Sequence, residues 1–120
     1  MTDHLDKIYG EKKESVERYK KLYSLKDLNQ KIKTYKNFYD FEKPLNNKKK
    51  VNVIAEIKKA SPSAGEIIKD YNPTDIAKNY AKAGATCLSV LTEEKNFKGK
   101  IEDIQEIKKE VKLPILCKDF

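Results

Sequence analysis

The clearest pattern in the chain is an alternation of apolar and polar positions over residues 51–58. In a strand, successive side chains point to opposite faces of the sheet. One face would then be wholly apolar, with Val51, Val53, Ala55 and Ile57. The other face becomes charged only at its carboxyl end, with Asn52, Ile54, Glu56 and Lys58. A surface strand of an antiparallel sheet would be polar along a whole side, so the pattern predicts a parallel strand that ends at an active-site opening.

Helical and strand patterns alternate in the rest of the chain. Asn72 and Pro73 predict a helix start, since asparagine caps helices and proline fits the first turn, and Gly84 predicts the end of that helix. The remaining apolar patterns predict a strand, a helix and a strand over residues 86–91, 101–111 and 113–120. The order strand, helix, strand, helix, strand is typical of a parallel sheet, either doubly wound or closed into a barrel.

The turn after the first predicted strand narrows this choice. Residues 58–63 read KKASPS and contain none of the glycines of a dinucleotide-binding or phosphate-binding loop. A Rossmann fold is therefore disfavoured.

The first 50 residues have a different pattern. Apolar residues at three- and four-residue intervals predict an amphipathic helix over residues 3–23. Ser24 followed by Asp27 resembles a capping box and predicts a helix break, after which a second apolar stripe begins. Pro44 is expected to stop helical structure before a polar connector. We therefore predict two parts: a helical extension over residues 1–50, and strands with helices over residues 51–120.

The charge distribution agrees with this division. The chain has 120 residues and a net charge of +7, and most of the excess lies in residues 1–50. Such an excess can mark a nucleic-acid-binding surface. However, Arg18 is the only arginine, whereas base and phosphate recognition favour arginine. Solvated helix faces are the preferred interpretation, and no nucleic-acid partner is predicted.

No apolar run approaches the roughly 18 residues of a membrane span, and the amino terminus lacks the apolar core of a signal peptide. Cys87 and Cys117 lie in separate apolar runs without metal-ligand spacing, which predicts buried free thiols in a reducing compartment. We expect a soluble, cytoplasmic protein with neither a membrane partner nor a metal site.

Three charged residues are candidates for chemistry. Lys118 falls at the carboxyl end of the last predicted strand, as Glu56 and Lys58 do in the first. If both strands face one barrel interior, these groups meet where barrel enzymes keep their catalytic residues. A lysine there, near another cation and partly desolvated, would have a lowered pKa and could act as a general acid. The alternative is an ion pair that only holds the strand ends together.

Three segments, AEIKKASPSAGEI (55–67), ATCLSVLTEEKNFKG (85–99) and LPILCKDF (113–120), resemble in order and spacing the strand-end motifs of indole-3-glycerol phosphate synthases. The resemblance extends through the helical amino-terminal region. It implies an α/β fold, a (β/α)₈ barrel with a helical extension, of which this chain holds the first three strands. It also implies a cofactor-free reaction of tryptophan biosynthesis, in which 1-(2-carboxyphenylamino)-1-deoxyribulose 5-phosphate loses carbon dioxide and water as the indole ring closes.

The resemblance also implies residue roles. Lys118 matches the general acid of the family, Lys58 a lysine that contacts the substrate carboxylate, and Glu56 the glutamate that orients this centre. The remaining matches are to substrate-binding positions: a serine of the phosphate region at Ser61, and aromatic walls of the anthranilate pocket at Phe97 and Phe120. The departures at Pro44, Asn96 and Cys117 remove no catalytic group.

A full barrel needs roughly 250 residues. We therefore expect an amino-terminal portion of the enzyme, inactive alone and loosely folded or self-associating, whose partners are a phosphorylated small molecule and the carboxyl-terminal barrel half. The alternatives are a basic nucleic-acid-binding protein and another phosphate-binding barrel enzyme, such as a phosphoribosylanthranilate isomerase relative.

Overall fold

The computed structural model describes residues 2–120, which form two compact units, the first ending at Phe38 and the second beginning at Tyr39. The first unit holds α1 (Thr2–Leu22) and α2 (Leu25–Thr34). The helices of the second unit are α3 (Glu42–Leu45), α4 (Pro73–Lys82) and α5 (Glu102–Glu110). Its strands are β1 (Ile54–Ile57), β2 (Ala60–Ser61), β3 (Gly65–Glu66), β4 (Cys87–Leu91) and β5 (Ile115–Lys118). None of the helices in this range is long and apolar enough to cross a membrane.

The first unit contains the predicted helix break. Ser24 caps α2: its hydroxyl accepts from the Asp27 backbone N–H at 3.1 Å, and the Asp27 carboxylate accepts from the Ser24 backbone N–H at 3.2 Å. This reciprocal pair confirms the predicted capping box. The apolar stripes are open to solvent within this unit, and Leu5 and Leu25 are 75% and 80% exposed.

The second unit is built on a parallel sheet with the strand order β1-β4-β5. The predicted order of three strands and two helices is confirmed, as is the Asn72 cap, whose side chain accepts from the Asp75 backbone N–H at 3.1 Å. Helices α4 and α5 cover one face of the sheet, where Ile57, Leu88 and Val90 form a core with residues of both helices. The protein therefore has α/β character, with mixed helix and parallel sheet.

The outer strands are shorter than predicted. Pairing of the first strand begins only at Val53, whose carbonyl accepts from Thr86 and Cys87, and Val51 is 87% exposed. At the other edge the strand ends at Lys118, because Asp119 takes a left-handed backbone conformation with φ of 53°. A residue that has no neighbouring strand cannot form the backbone hydrogen bonds of a sheet, even where apolar and polar positions alternate as in a strand.

Two segments differ in kind from their prediction. Residues 60–66 form a small antiparallel hairpin, β2–β3, where a loop was expected, because Gly65 adopts a positive φ of 67° that lets the chain turn back. Pro44 lies within the single-turn helix α3, which it was expected to prevent. A first helical turn does not use the N–H that proline lacks, so the prediction was wrong at this position. The predicted boundary between residues 50 and 51 stays a prediction.

Candidate active site

An acid and two lysines meet at the carboxyl ends of the parallel strands. The Lys118 ammonium lies 2.8 Å from Oε2 of Glu56, and the Lys58 ammonium lies 3.6 Å from Oε1 of the same carboxylate. Glu56 is in β1 and Lys118 is the last residue of β5, 62 positions later. The strand between them, β4, brings these side chains to one edge of the sheet. One carboxylate thus holds two cations that arrive from separate parts of the sequence.

The pairing sets the protonation states of this cluster. Burial opposes the charged form of Glu56, but the hydrogen bond and the charge of Lys118, with the charge of Lys58, lower the pKa of the carboxyl group below its usual value. The hydrogen bond to Glu56 in turn raises the pKa of Lys118. The expectation of a lowered lysine pKa is therefore wrong for Lys118, because an opposite charge in direct contact outweighs weak desolvation.

Ser61 lies in the hairpin that follows β1. Its hydroxyl accepts from the Ala64 backbone N–H at 3.1 Å and lies 3.4 Å from the Ser63 hydroxyl. These side-chain contacts stay within the hairpin and do not include Glu56 or its lysines. Glu66 of the hairpin lies 3.3 Å from the Lys98 ammonium, which links the hairpin to the loop after β4. The same carboxylate lies 3.9 Å from the ammonium of Lys59, which directly precedes the hairpin.

The two candidate aromatic residues have different surroundings. Phe97 is half-buried in the loop after β4, and its backbone N–H is hydrogen-bonded. Phe120 follows β5 and leaves 78% of its surface exposed. The structure therefore brings together Glu56, Lys58 and Lys118, while Ser61, Phe97 and Phe120 lie in segments that follow the carboxyl ends of the strands.

Glu93 is a structural residue of this region that the sequence did not reveal. Its carboxylate accepts from three successive backbone N–H groups, those of Lys95 at 3.1 Å, Asn96 at 2.7 Å and Phe97 at 2.9 Å. Only 6% of Glu93 is exposed. The possible signal was an acid two positions after a buried strand, but an acid in a charged segment ordinarily indicates a solvated loop. Glu93 instead fixes the loop that carries Phe97.

We expect Glu93→Gln to destabilise the protein by about 2 kcal/mol, because an amide accepts these hydrogen bonds more weakly than a carboxylate. Burial opposes its charge, yet the backbone hydrogen bonds lower the pKa of Glu93. The stabilisation is therefore complete above the unfolded pKa of about 4.3 and is lost as pH falls through the lower folded value. Urea unfolding between pH 7 and pH 3 measures this loss.

The matched control is Glu94→Gln at the exposed neighbouring position, which should change stability by less than about 0.5 kcal/mol. Acid destabilisation should be shallower in Glu93→Gln than in the parent chain. If the stability of Glu93→Gln and that of the parent chain depend equally on pH, the Glu93 carboxylate does not stabilise the loop.

The fold is a parallel sheet whose strands are joined through helices, and an acid and two lysines lie at the carboxyl ends of those strands. These features define the class of α/β proteins that place charged functional groups at that edge of the sheet. The family model described as "Indole-3-glycerol phosphate synthase" matches residues 5–120. The chain belongs to the indole-3-glycerol phosphate synthase family.

Individual relatives agree with this assignment. An indole-3-glycerol phosphate synthase of Prochlorococcus marinus (strain AS9601) is 48% identical over 117 residues, which cover 97% of this chain and 40% of the relative. Those of Aquifex aeolicus (strain VF5) and Listeria monocytogenes serotype 4a (strain HCC23) are 53% and 50% identical over 96 residues, covering 80% of this chain and 37% of each relative. The chain thus spans about 40% of the length of the curated relatives it matches.

Proposed function

We propose that this chain supplies the first three strands of a (β/α)₈ barrel in an indole-3-glycerol phosphate synthase, preceded by a helical extension over residues 1–50. The face of the sheet opposite α4 and α5 supports this. On it, Ile54 and Leu116 are 47% and 45% exposed, and both outer strands have a free edge among the described residues. Half-exposed apolar side chains and open parallel edges are the features that further strands of a barrel would cover. The carboxyl-terminal barrel half is the partner we propose for this sheet.

The proposed reaction is a carbon–carbon lyase step of tryptophan biosynthesis, and it uses this chain's residues without a cofactor. Lys118 protonates the ketone oxygen of 1-(2-carboxyphenylamino)-1-deoxyribulose 5-phosphate, which makes the carbonyl carbon electrophilic. The ring carbon that bears the carboxylate bonds to this carbon, and carbon dioxide leaves as its bonding electrons restore the aromatic ring. The hydroxyl formed from the ketone then leaves as water with a hydrogen of the neighbouring CH₂ group, and solvent returns a proton to Lys118. Lys58 offsets the charge of the substrate carboxylate, and Glu56 orients both lysines.

One observation carries this proposal: the Glu56 carboxylate holds Lys118 at 2.8 Å and Lys58 at 3.6 Å at the carboxyl edge of a parallel sheet. A lysine is protonated at neutral pH, and the pairing raises the pKa of Lys118 further, so this residue carries the proton that a general acid needs. An anionic substrate can compete with Glu56 for both ammonium groups. Substrate binding would then release the acid at the moment of use.

The remaining residues contribute to binding in this proposal. Ser61 lies in a short hairpin with small residues, and its hydroxyl, which accepts from the Ala64 backbone N–H, can still donate its proton to a phosphate group. Phe97 and Phe120 would form apolar walls for the anthranilate ring. The half-buried position of Phe97 suits a wall, and the exposure of Phe120 suits one that the rest of the barrel or the substrate covers.

The test adds the remaining strands of the proposed barrel to this chain. A chimeric enzyme joins this chain to the part of the Prochlorococcus marinus (strain AS9601) relative that follows the matched region. We expect the chimeric enzyme to form indole-3-glycerol phosphate, detected by indole fluorescence, and the 120-residue chain alone to form none. The parent relative is the positive control. A folded chimera without activity, judged by a cooperative thermal transition, would contradict the proposal, and so would ring closure by the isolated chain.

A further inference from the structure

Ser89 is a buried polar residue that the proposed mechanism does not yet use. It lies in the middle of β4 and is 4% exposed, and its hydroxyl has no hydrogen-bond partner among the residues that the structure describes. A buried hydroxyl without a partner costs roughly 1–3 kcal/mol of stability. Alanine would fit the same space without that cost. A group that lowers the stability of the fold in this way is a candidate for a functional role.

The strand register puts Ser89 beside the charged cluster. Leu88 and Val90 pack in the core that α4 and α5 cover, so Ser89 faces the opposite side of the sheet. In the paired strands, Ser89 is level with Glu56 on one side and with Leu116 on the other. Adjacent strands lie about 4.8 Å apart, which is within reach of a hydroxyl and a longer carboxylate side chain. Glu56 is therefore the charged side chain in register with this hydroxyl.

We propose that Ser89 is a positioning residue for the ring-closure reaction, and that its hydroxyl donates to the Glu56 carboxylate when an anionic substrate draws Lys58 and Lys118 away. The inference rests on the proposed function of the cluster. In the structure the two lysines pair with the carboxylate, and the Ser89 hydroxyl has no partner among the described residues. Once the lysines contact the substrate, Glu56 needs another donor to keep its charge and orientation.

Among the side chains of β4 on this face, Ser89 is the one that can donate a hydrogen bond to the Glu56 carboxylate. The lysines approach Glu56 from its own strand end and from β5, and Asp119 acts on Lys118 from the next position. From β4, the groups on this face beside Ser89 are the Cys87 thiol, two residues below, and the apolar Leu91 above. The hydroxyl is the stronger donor of the β4 groups, and it is already level with Glu56.

The experiment compares Ser89→Ala with Ser15→Ala, a control in α1, in the chimeric enzyme. We expect Ser89→Ala to lower kcat about tenfold with KM within about twofold, since loss of a hydrogen bond to a charged group has about this effect. The acid limb of the kcat profile should move up by about one pH unit, because Glu56 loses its donor only in the substrate complex. The acid limb of kcat/KM, which reports the free enzyme, should stay in place.

Two further measurements separate positioning from folding. The midpoint of thermal unfolding should not fall in Ser89→Ala, and Ser89→Thr, which keeps a hydroxyl, should return the acid limb of kcat to its original pH. An unchanged pH profile of kcat in Ser89→Ala would overturn the inference. So would acid limbs of kcat and kcat/KM that move by the same number of pH units. Glu56→Gln distinguishes failure of the proposed function from failure of the role of Ser89. If Glu56→Gln leaves activity intact, the proposed function itself fails. If Glu56→Gln loses activity while Ser89→Ala has a normal profile, only the role of Ser89 is rejected.

Discussion

Replacing Lys118 by alanine in the chimeric enzyme lowers kcat/KM by about 10³-fold, because the ketone oxygen loses its proton donor at the point where charge develops. The alternative, in which the Glu56–Lys118 contact only holds two strand ends together, predicts a different result. An exposed ion pair contributes at most about 1 kcal/mol to stability, and its loss would leave most of the activity. Initial rates of ring closure, measured with the thermal unfolding of the same samples, separate the two explanations.

The matched control is Lys112→Ala, an exposed lysine that precedes the amino end of the same strand. It removes the same charge without touching the cluster, so kcat/KM should stay within about twofold. Activity above about one tenth of the parent value in Lys118→Ala would contradict the role of general acid.

The pH profile gives a second readout of the same pair. A general acid must be protonated, so the basic limb of kcat/KM reports the pKa of Lys118 in the free enzyme. Glu56 raises that pKa through its hydrogen bond and charge. Glu56→Gln removes the contact that raises the pKa of Lys118. The basic limb of any remaining activity should therefore lie at lower pH. A limb that stays in place would mean that another group carries the proton.

Gly99→Ala is expected to destabilise the second unit by about 3 kcal/mol, because the position has no room for a side chain. A Cβ atom on Gly99 would overlap the carbonyl oxygen of Leu91 and lie 2.8 Å from its carbonyl carbon and 3.2 Å from Cα of Thr92. All these atoms are backbone, so none can rotate away. The Gly99 backbone N–H also donates to the Glu93 carbonyl at 2.9 Å, which ties the ends of the same loop together.

The control for this prediction is Gly10→Ala in α1, where a Cβ meets nothing within 4 Å. Alanine in the interior of an exposed helix should stabilise it by roughly 0.5–1 kcal/mol. Urea unfolding followed by circular dichroism measures both variants. Stability of Gly99→Ala equal to that of the parent would show that the loop after β4 rearranges freely around this position.

The local elements were largely predictable because their signals lie within a few residues of each other. The Ser24 and Asp27 pair acts across a single helical turn, and so does the Asn72 cap. The convergence of Glu56 and Lys118 followed from alternation in two strands and the rule that parallel strands end at one edge. Their distance of 2.8 Å did not follow, since it depends on how β4 spaces the strands.

Periodicity, capping and motif spacing can be read along the chain, and they were enough to predict the order of strands and helices, the helix caps, the family and the three charged candidates. Three further features appear only in the folded chain: the raised pKa of Lys118, the loop that Glu93 anchors by three backbone N–H groups, and the position of Ser89 level with Glu56 without a partner among the described residues. These depend on which groups meet across strands, and on the burial that removes competing water. Residues 33 positions apart become neighbours in register only when the sheet is assembled.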